Sequence, residues 1–548
     1  MKSRHSILGP LLLGVPKTLA LPEGQISSFV ESRSSSLDWA PCDLDLPEGN
    51  LRGDGYCATL DVPLDYTDPD SDETIELQLI RFNATKEPFK GSVLWNPGGP
   101  GISGIETFAY LGKDFRDILG GHHHAISWDT RGTGRTIPFS CSKDKSSSKK
   151  SRRDQKSLAK EAIAQRPLAQ ADLWEYVKKE RWEAMTTLAD TCYETEQEHG
   201  RLIGTAFTAR DMMKIVDALD EDGKLRYWGI SYGTILGQVV ASMFPDRMDR
   251  VLLDSNSLAD DYLVATGTGG PRDGEKSLMY FFDECVQAGS ETCGLANYTG
   301  SSTTVQDLRT ALEDLFQKLV DTPDPADLGL PASSFPYGGN SVLQLLKYAL
   351  LSLLQSPLNY ATIDKLLGYM FEGEYLKALA LFDEGSSEWN LGTQSFSGIA
   401  CSDSFYRVKS AEDLYAMYKS HLEESTFGDA LAADYIGCGA WRFDAAEQID
   451  TTKLRNVNTS YPVLLINGAY DPFTPLAMSY QVASRFRDSR MVVHEGIGHG
   501  VTSHASNCTL DIISEYFIDG TLPEVGTVCK PNMSAFEYAK YVAGLSQS

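Results

Sequence analysis

Residues 225–240 read Leu225-Arg226-Tyr227-Trp228-Gly229-Ile230-Ser231-Tyr232-Gly233-Thr234-Ile235-Leu236-Gly237-Gln238-Val239-Val240. A short, mostly apolar run ends in glycine, a G-x-S-x-G follows, and an apolar helix start takes over at 234–240. A nucleophilic serine has to be lifted on a tight turn between strand and helix so that its hydroxyl is exposed. The flanking glycines let those two elements approach closely. The positive end of the helix dipole also favours an anion developing at Ser231. A G-x-S-x-G alone arises by chance, but the strand–turn–helix setting removes most of those accidents.

The same rhythm recurs on both sides. Ser92-Val93-Leu94-Trp95-Asn96 runs into Pro97-Gly98-Gly99-Pro100-Gly101, and Ala125-Ile126-Ser127-Trp128-Asp129 into Thr130-Arg131-Gly132-Thr133-Gly134. Further apolar runs lie at 250–253, 463–466 and 491–494, and 209–219 has helical spacing just before the 225 run. Buried strands alternating with helices predict an α/β fold with a mostly parallel central sheet and flanking helices. The rhythm breaks over 257–455, which is rich in helix formers, and resumes at Tyr461. The expected organisation is a first core part at 21–256, a helical lid at 257–455 inserted between late strands, and a second core part at 456–548. Such a lid would sit over the carboxyl ends of the strands, where α/β sheets bind ligands.

A serine nucleophile needs a base, and the base needs an orienting carboxylate. Asp471 follows the 463–466 run, and His499 follows the 491–494 run within Gly496-Ile497-Gly498-His499-Gly500. A carboxylate past one parallel strand and an imidazole past the next lie at the same sheet edge as Ser231. Asp471 would hold the imidazole tautomer, and His499 would carry the proton. His494 and His504 lack the glycine flanks that let a loop bend toward the nucleophile. Asp129 precedes the serine, and a buried ion pair with Arg131 is the expected role. His122-His123-His124 is expected on a surface loop, since three consecutive histidines cannot face one ion. The glycine-dense loop at 97–101 suits backbone donors for an oxyanion, with one donor at Gly99 and the other at Tyr232; Pro100 has no N–H to give. No P-loop lysine and no GxGxxG accompany it, so a phosphate-binding role is disfavoured. Neither a metal nor a cofactor is expected.

Composition narrows the partners. The chain has 548 residues, 49 Lys and Arg against 75 Asp and Glu, and a formal charge of −26. That field repels phosphates, which argues against nucleic acid or an anionic membrane as partner. Residues 1–20 read as an export signal, with Lys2, Arg4 and His5 before a short apolar run and Ala20 at the cleavage position. Ten cysteines, none at zinc spacing, suit an oxidising compartment. Pairing sequence neighbours gives five local bridges, although sequence leaves the connectivity open. Sequons at Asn83, Asn297, Asn458, Asn507 and Asn532 fit a glycoprotein on a secretory route. The basic, serine-rich run 142–153 reads as a solvated loop.

Taken together, Asn96-Pro97-Gly98-Gly99-Pro100-Gly101, Asp129-Thr130-Arg131-Gly132-Thr133-Gly134, Gly229-Ile230-Ser231-Tyr232-Gly233-Thr234, Asp471-Pro472-Phe473-Thr474-Pro475 and Gly498-His499-Gly500 resemble the α/β-hydrolase superfamily. Within it, they are similar to the prolyl aminopeptidase and tripeptidyl-aminopeptidase-like branch over about 42–529. The resemblance implies an α/β-hydrolase fold and a secreted serine hydrolase with a helical lid, acting without metal or cofactor. The implied activity is that of an exopeptidase releasing N-terminal residues or short peptides. It departs at Asp254-Ser255-Asn256-Ser257-Leu258-Ala259, where members often carry Asp-Gly-Val-Val-Asp-Pro, and it assigns no amine-binding role residue by residue to lid carboxylates such as Glu284 or Asp403. An esterase, thioesterase or acyl transferase on a small natural product would use the same Ser231, Asp471 and His499. A non-enzymatic binding module would have no need of all three.

Overall fold

The computed structural model describes residues 37–44, 51–141, 167–265, 267, 269–382, 392–432 and 435–545. The expected leader and the basic run 142–153 lie outside the described residues. Ten strands form one sheet: β1 (Ala40–Pro41), β2 (Gly55–Pro63), β3 (Thr74–Phe82), β4 (Ser92–Asn96), β5 (His124–Trp128), β6 (Leu225–Ser231), β7 (Met248–Asn256), β8 (Leu464–Tyr470), β9 (Arg490–Ile497) and β10 (Val528–Cys529). Their order is β1-β2-β3-β5-β4-β6-β7-β8-β9-β10. From β5 to β10 every neighbour pairs in parallel, while β1, β2 and β3 join antiparallel.

The six apolar runs read from the sequence are β4 to β9. The reading missed β2 and β3, which alternate buried and exposed residues, as in Thr74 out, Ile75 in, Glu76 out, Leu77 in. That pattern belongs to a half-solvated antiparallel edge, which carries no continuous apolar run of the kind that marks the parallel strands.

Burial on both faces explains those runs. Tyr227 and Leu253 pack on one face with the helices Thr205–Ala218 and Tyr232–Met243, and Trp228 and Leu252 on the other with Gly104–Ile118 and Asn507–Asp519. The chain passes from β4 outward to β5, then returns to β6 on the opposite side of β4. Strand order reverses there, so the loops after β4 and β6 open a crevice at their carboxyl ends.

Between β7 and β8 the regular elements among the described residues are helices, including Gly274–Ala288, Val305–Val320, Gly339–Leu353 and Tyr360–Phe371, and residues 441–463 carry none. These helices close an apolar cluster of their own, which Leu168, Ala171 and Leu173 join from earlier in the chain. The cluster also takes in Ala469, Tyr470 and Ile497, so the helical segment rests on the carboxyl ends of β8 and β9. Lys347 and Asp429 form a fully buried ion pair within it, at 2.8 Å.

Five disulfides join sequence neighbours: Cys42–Cys57, Cys141–Cys192, Cys285–Cys293, Cys401–Cys438 and Cys508–Cys529. No helix among the described residues is long and apolar enough to cross a membrane.

Candidate active site

Ser231 closes β6 and precedes the helix Tyr232–Met243 with φ 59° and ψ −122°, a conformation that costs an L-residue on the order of 1–3 kcal/mol. The two motif glycines make that turn sterically possible. A Cβ on Gly229 would lie 2.3 Å from the Gly233 carbonyl oxygen, and one on Gly233 would lie 2.9 Å from the Asn96 carbonyl oxygen. The hydroxyl-bearing residue is half-buried, unlike the rest of its strand.

The loop after β4 lies directly against this turn. A Cβ on Gly98 would stand 2.8 Å from Ser231 Cβ and 3.1 Å from the Tyr232 amide nitrogen, and Gly98 sits at φ 97°. Its own N–H donates to Asn96 Oδ1 at 3.0 Å. With Gly98 committed and Pro100 lacking an N–H, Gly99 carries the next amide of the loop. The ring of Tyr232 is buried and its hydroxyl lies 2.6 Å from Thr205 Oγ1.

Asp471 and His499 meet at this edge. Asp471, the first residue after β8, is fully buried, and its Oδ2 accepts from His499 Nδ1 at 2.9 Å. The turn that follows supplies three more donors: Phe473 N and Thr474 N at 2.9 Å each to Oδ1, and Thr474 Oγ1 at 2.6 Å to Oδ2. Burial opposes ionisation of Asp471, yet the His499 charge and these hydrogen bonds prevail and hold its carboxyl below the usual range. For His499, burial disfavours the imidazolium, but the Asp471 charge and hydrogen bond, helped by Asp254, raise it above the ordinary histidine value. Because Nδ1 is engaged, Nε2 is the nitrogen left for proton transfer.

The loop carrying His499 also reaches β6. A Cβ on Gly500 would lie 3.5 Å from Ile230 Cγ2, next to Ser231. No hydrogen bond joins Ser231 to His499 among the described residues. Such contacts are commonly long without substrate and tighten when it binds.

The rival histidines are occupied elsewhere. His494 pairs with Thr509 Oγ1 at 2.9 Å and with the His504 carbonyl at 3.1 Å, and His504 Nε2 lies 3.0 Å from the Met533 carbonyl. Two expectations need correction. Arg131 pairs with Asp211, not Asp129: both partners are fully buried at 2.7 Å, because Asp211 on the helix Thr205–Ala218 presents a bidentate carboxylate. Asp129 instead ties its loop to Ser103 Oγ at 2.6 Å and the Arg135 amide at 2.8 Å. Nor do the three histidines form a surface loop. His123 is fully buried between the Gly91 and Phe517 carbonyls, and His124 opens β5. The carboxylates of Asp403 and Glu284 are likewise engaged, Asp403 with Thr205 N at 2.9 Å and Glu284 with Ala535 N at 2.9 Å.

Thr474 was not singled out from the sequence, although an Asp with a Thr three residues on is a recognisable turn pattern. Asp254 and Ser255 appeared there only as a departure. Here Ser255 Oγ accepts from Gly500 N at 2.6 Å, and Asp254 accepts from Val501 N at 3.2 Å. No sequence spacing announces a contact between residues so far apart.

Comparison with known proteins agrees with this architecture. Residues 91–274 match the family described as alpha/beta hydrolase fold, and residues 424–529 the family described as TAP-like protein. The chain is 24% identical to Serine protease Hip1 of Mycobacterium tuberculosis, covering 90% of this chain and 91% of that protein. It is 24% identical to Tripeptidyl aminopeptidase of Streptomyces lividans, covering 93% and 89% respectively. Carboxylesterase B of Mycobacterium tuberculosis matches at 24% identity, covering 87% and 86%. The sheet topology and the match over 91–274 give the α/β-hydrolase fold, and the relatives support a serine hydrolase of that fold. More narrowly, residues 424–529 match the TAP-like family, and the relatives named a serine protease and a tripeptidyl aminopeptidase are similar over about nine-tenths of the chain.

Proposed function

We propose that the protein is a secreted serine exopeptidase that removes residues or short peptides from free N-termini through an acyl-enzyme. The buried 2.9 Å contact between His499 Nδ1 and Asp471 carries the reading, because it leaves Nε2 to serve a serine raised on the neighbouring turn. In this mechanism Ser231 Oγ attacks the substrate carbonyl while His499 Nε2 takes its proton. The Gly99 and Tyr232 amides hold the oxyanion. The imidazolium, stabilised by Asp471, then protonates the departing amine. Water, deprotonated by the same nitrogen, attacks the acyl-enzyme, releases the acid and regenerates Ser231. No residue in this cycle calls for a metal or a cofactor.

The helices of 257–455 would serve as a lid that limits how much chain passes the sheet edge, since they rest on the ends of β8 and β9. The relative named a tripeptidyl aminopeptidase supports the exopeptidase class. The leader at 1–20, the five disulfides and the sequons support secretion. Asn297, Asn458, Asn507 and Asn532 are exposed and Asn83 is half-buried.

The relative named a carboxylesterase sustains a second reading, hydrolysis of a small ester by the same residues. Steady-state rates on free-amine and N-acetylated tripeptidyl p-nitroanilides, beside p-nitrophenyl esters, separate the two. Exopeptidase action requires turnover of the free-amine anilide and little of the blocked one. Ester turnover with no anilide turnover favours the second reading. Loss of both in Ser231→Ala supports the nucleophile, and retention of the wild-type rate removes it.

A further inference from the structure

We propose that Asp254 and Ser255, adjacent residues at the carboxyl end of β7, are positioning residues that hold the His499 loop in register with Ser231. The proposal rests on the reading of Ser231, His499 and Asp471 given above. β7 lies between β6, which carries Ser231, and β8, which leads to Asp471. Its end therefore faces the histidine loop from the middle of the site.

The loop needs such a hold. Gly498 and Gly500 flank His499 at φ 118° and 91°, a backbone region open to glycine and therefore weakly constrained by its own sterics. The two amides that follow the imidazole are both captured by β7. Gly500 N donates to Ser255 Oγ at 2.6 Å, and Val501 N donates to both Asp254 carboxylate oxygens at 3.2 Å. Asp254 is fixed in turn by Trp228 Nε1 of β6 at 3.3 Å. One buried pair of side chains thus ties the base-bearing loop to the nucleophile strand.

Ser255 adopts φ 58° and is fully buried. A glycine would sit there without strain, so the backbone gains nothing from serine. The hydroxyl is what serine adds, and it goes to the amide beside His499. The charged groups facing Asp254 are His499 from the loop after β9 and Asp471 from the turn after β8, whereas Trp228 offers only an N–H. Burial pushes the Asp254 carboxyl up to about 7, against the Val501 and Trp228 hydrogen bonds and the His499 charge. When ionised, it adds to the field that favours imidazolium.

The test uses the full chain and an alkyl fluorophosphonate, whose maximal labelling rate and half-saturation concentration are measured across pH. This readout does not depend on the peptide substrate. Ser255→Gly removes the hydroxyl and relieves the backbone, so folding is not at risk. A displaced base of about 1 Å costs up to roughly a hundredfold. The expected result is a fall of about ten- to a hundredfold in maximal rate with half-saturation unchanged. Asp254→Asn keeps one acceptor oxygen and removes the charge, and is expected to move the acid limb to lower pH; Asp254→Ala should add the rate loss. Wild-type rates in Ser255→Gly, with an unmoved acid limb in Asp254→Asn, overturn the proposal. Ser231→Ala run alongside separates the failures: if it still labels, the underlying site reading is what fails.

Discussion

His499 Nδ1 lies 2.9 Å from Asp471 Oδ2, and the aspartate is sealed from solvent while holding three further donors from its own turn. The imidazole is therefore held in one tautomer by a carboxylate that cannot rotate away. Residues from two crossings of the sheet form this pair, and the consequences can be measured.

Asp471→Asn removes the charge and turns the acceptor facing Nδ1 into a mixed amide. By analogy with the general behaviour of such pairs, turnover should drop by roughly 10³–10⁴-fold, with the wrong tautomer populated. Circular dichroism should stay native. A loss of less than tenfold would show that Asp471 does not orient the base.

The proposed mechanism needs His499 neutral, and Asp471 and Asp254 together raise its pKa despite burial. Raising that value moves the acid limb of kcat/KM upward, so activity should start to fall above the ordinary histidine midpoint, ~6.5, as pH is lowered. A profile flat down to pH ~5 contradicts this assignment.

Gly229→Ala places a methyl 2.3 Å from the Gly233 carbonyl oxygen, with backbone rather than a flexible side chain in the way. The turn must shift, at about 1–3 kcal/mol of stability by the cost of overpacking. Denaturant titration and fluorophosphonate labelling should both decline. Normal labelling of Ser231 would mean the turn tolerates a Cβ.

Asp211→Ala strands the Arg131 guanidinium, which is fully buried and also donates to the Leu64 and Pro63 carbonyls at 2.6 Å each. Breaking one side of such a pair costs about 3–5 kcal/mol, because the remaining charge stays out of water. Urea unfolding should report a shift of that size. A change below about 1 kcal/mol is the result that removes the pair as a structural anchor.

The sequence alone carried the parallel strands, because burial on both faces demands unbroken apolar runs, and it carried Ser231, because only glycine fits beside that turn. It also placed Asp471 and His499 at one edge, since parallel strands bring all their carboxyl ends together. The antiparallel strands β2 and β3 were hidden by their alternating pattern. The partner of Arg131 was hidden too, because an ion pair 80 residues apart leaves no local trace. Only the folded chain brings Asp254 and Ser255 onto the amides after His499, about 245 residues away in sequence. Periodicity along the chain reports which face of an element is buried, and therefore the sheet. Which side chain of one strand meets which amide of a distant loop depends on register, twist and helix packing, and those exist only once the layers have closed.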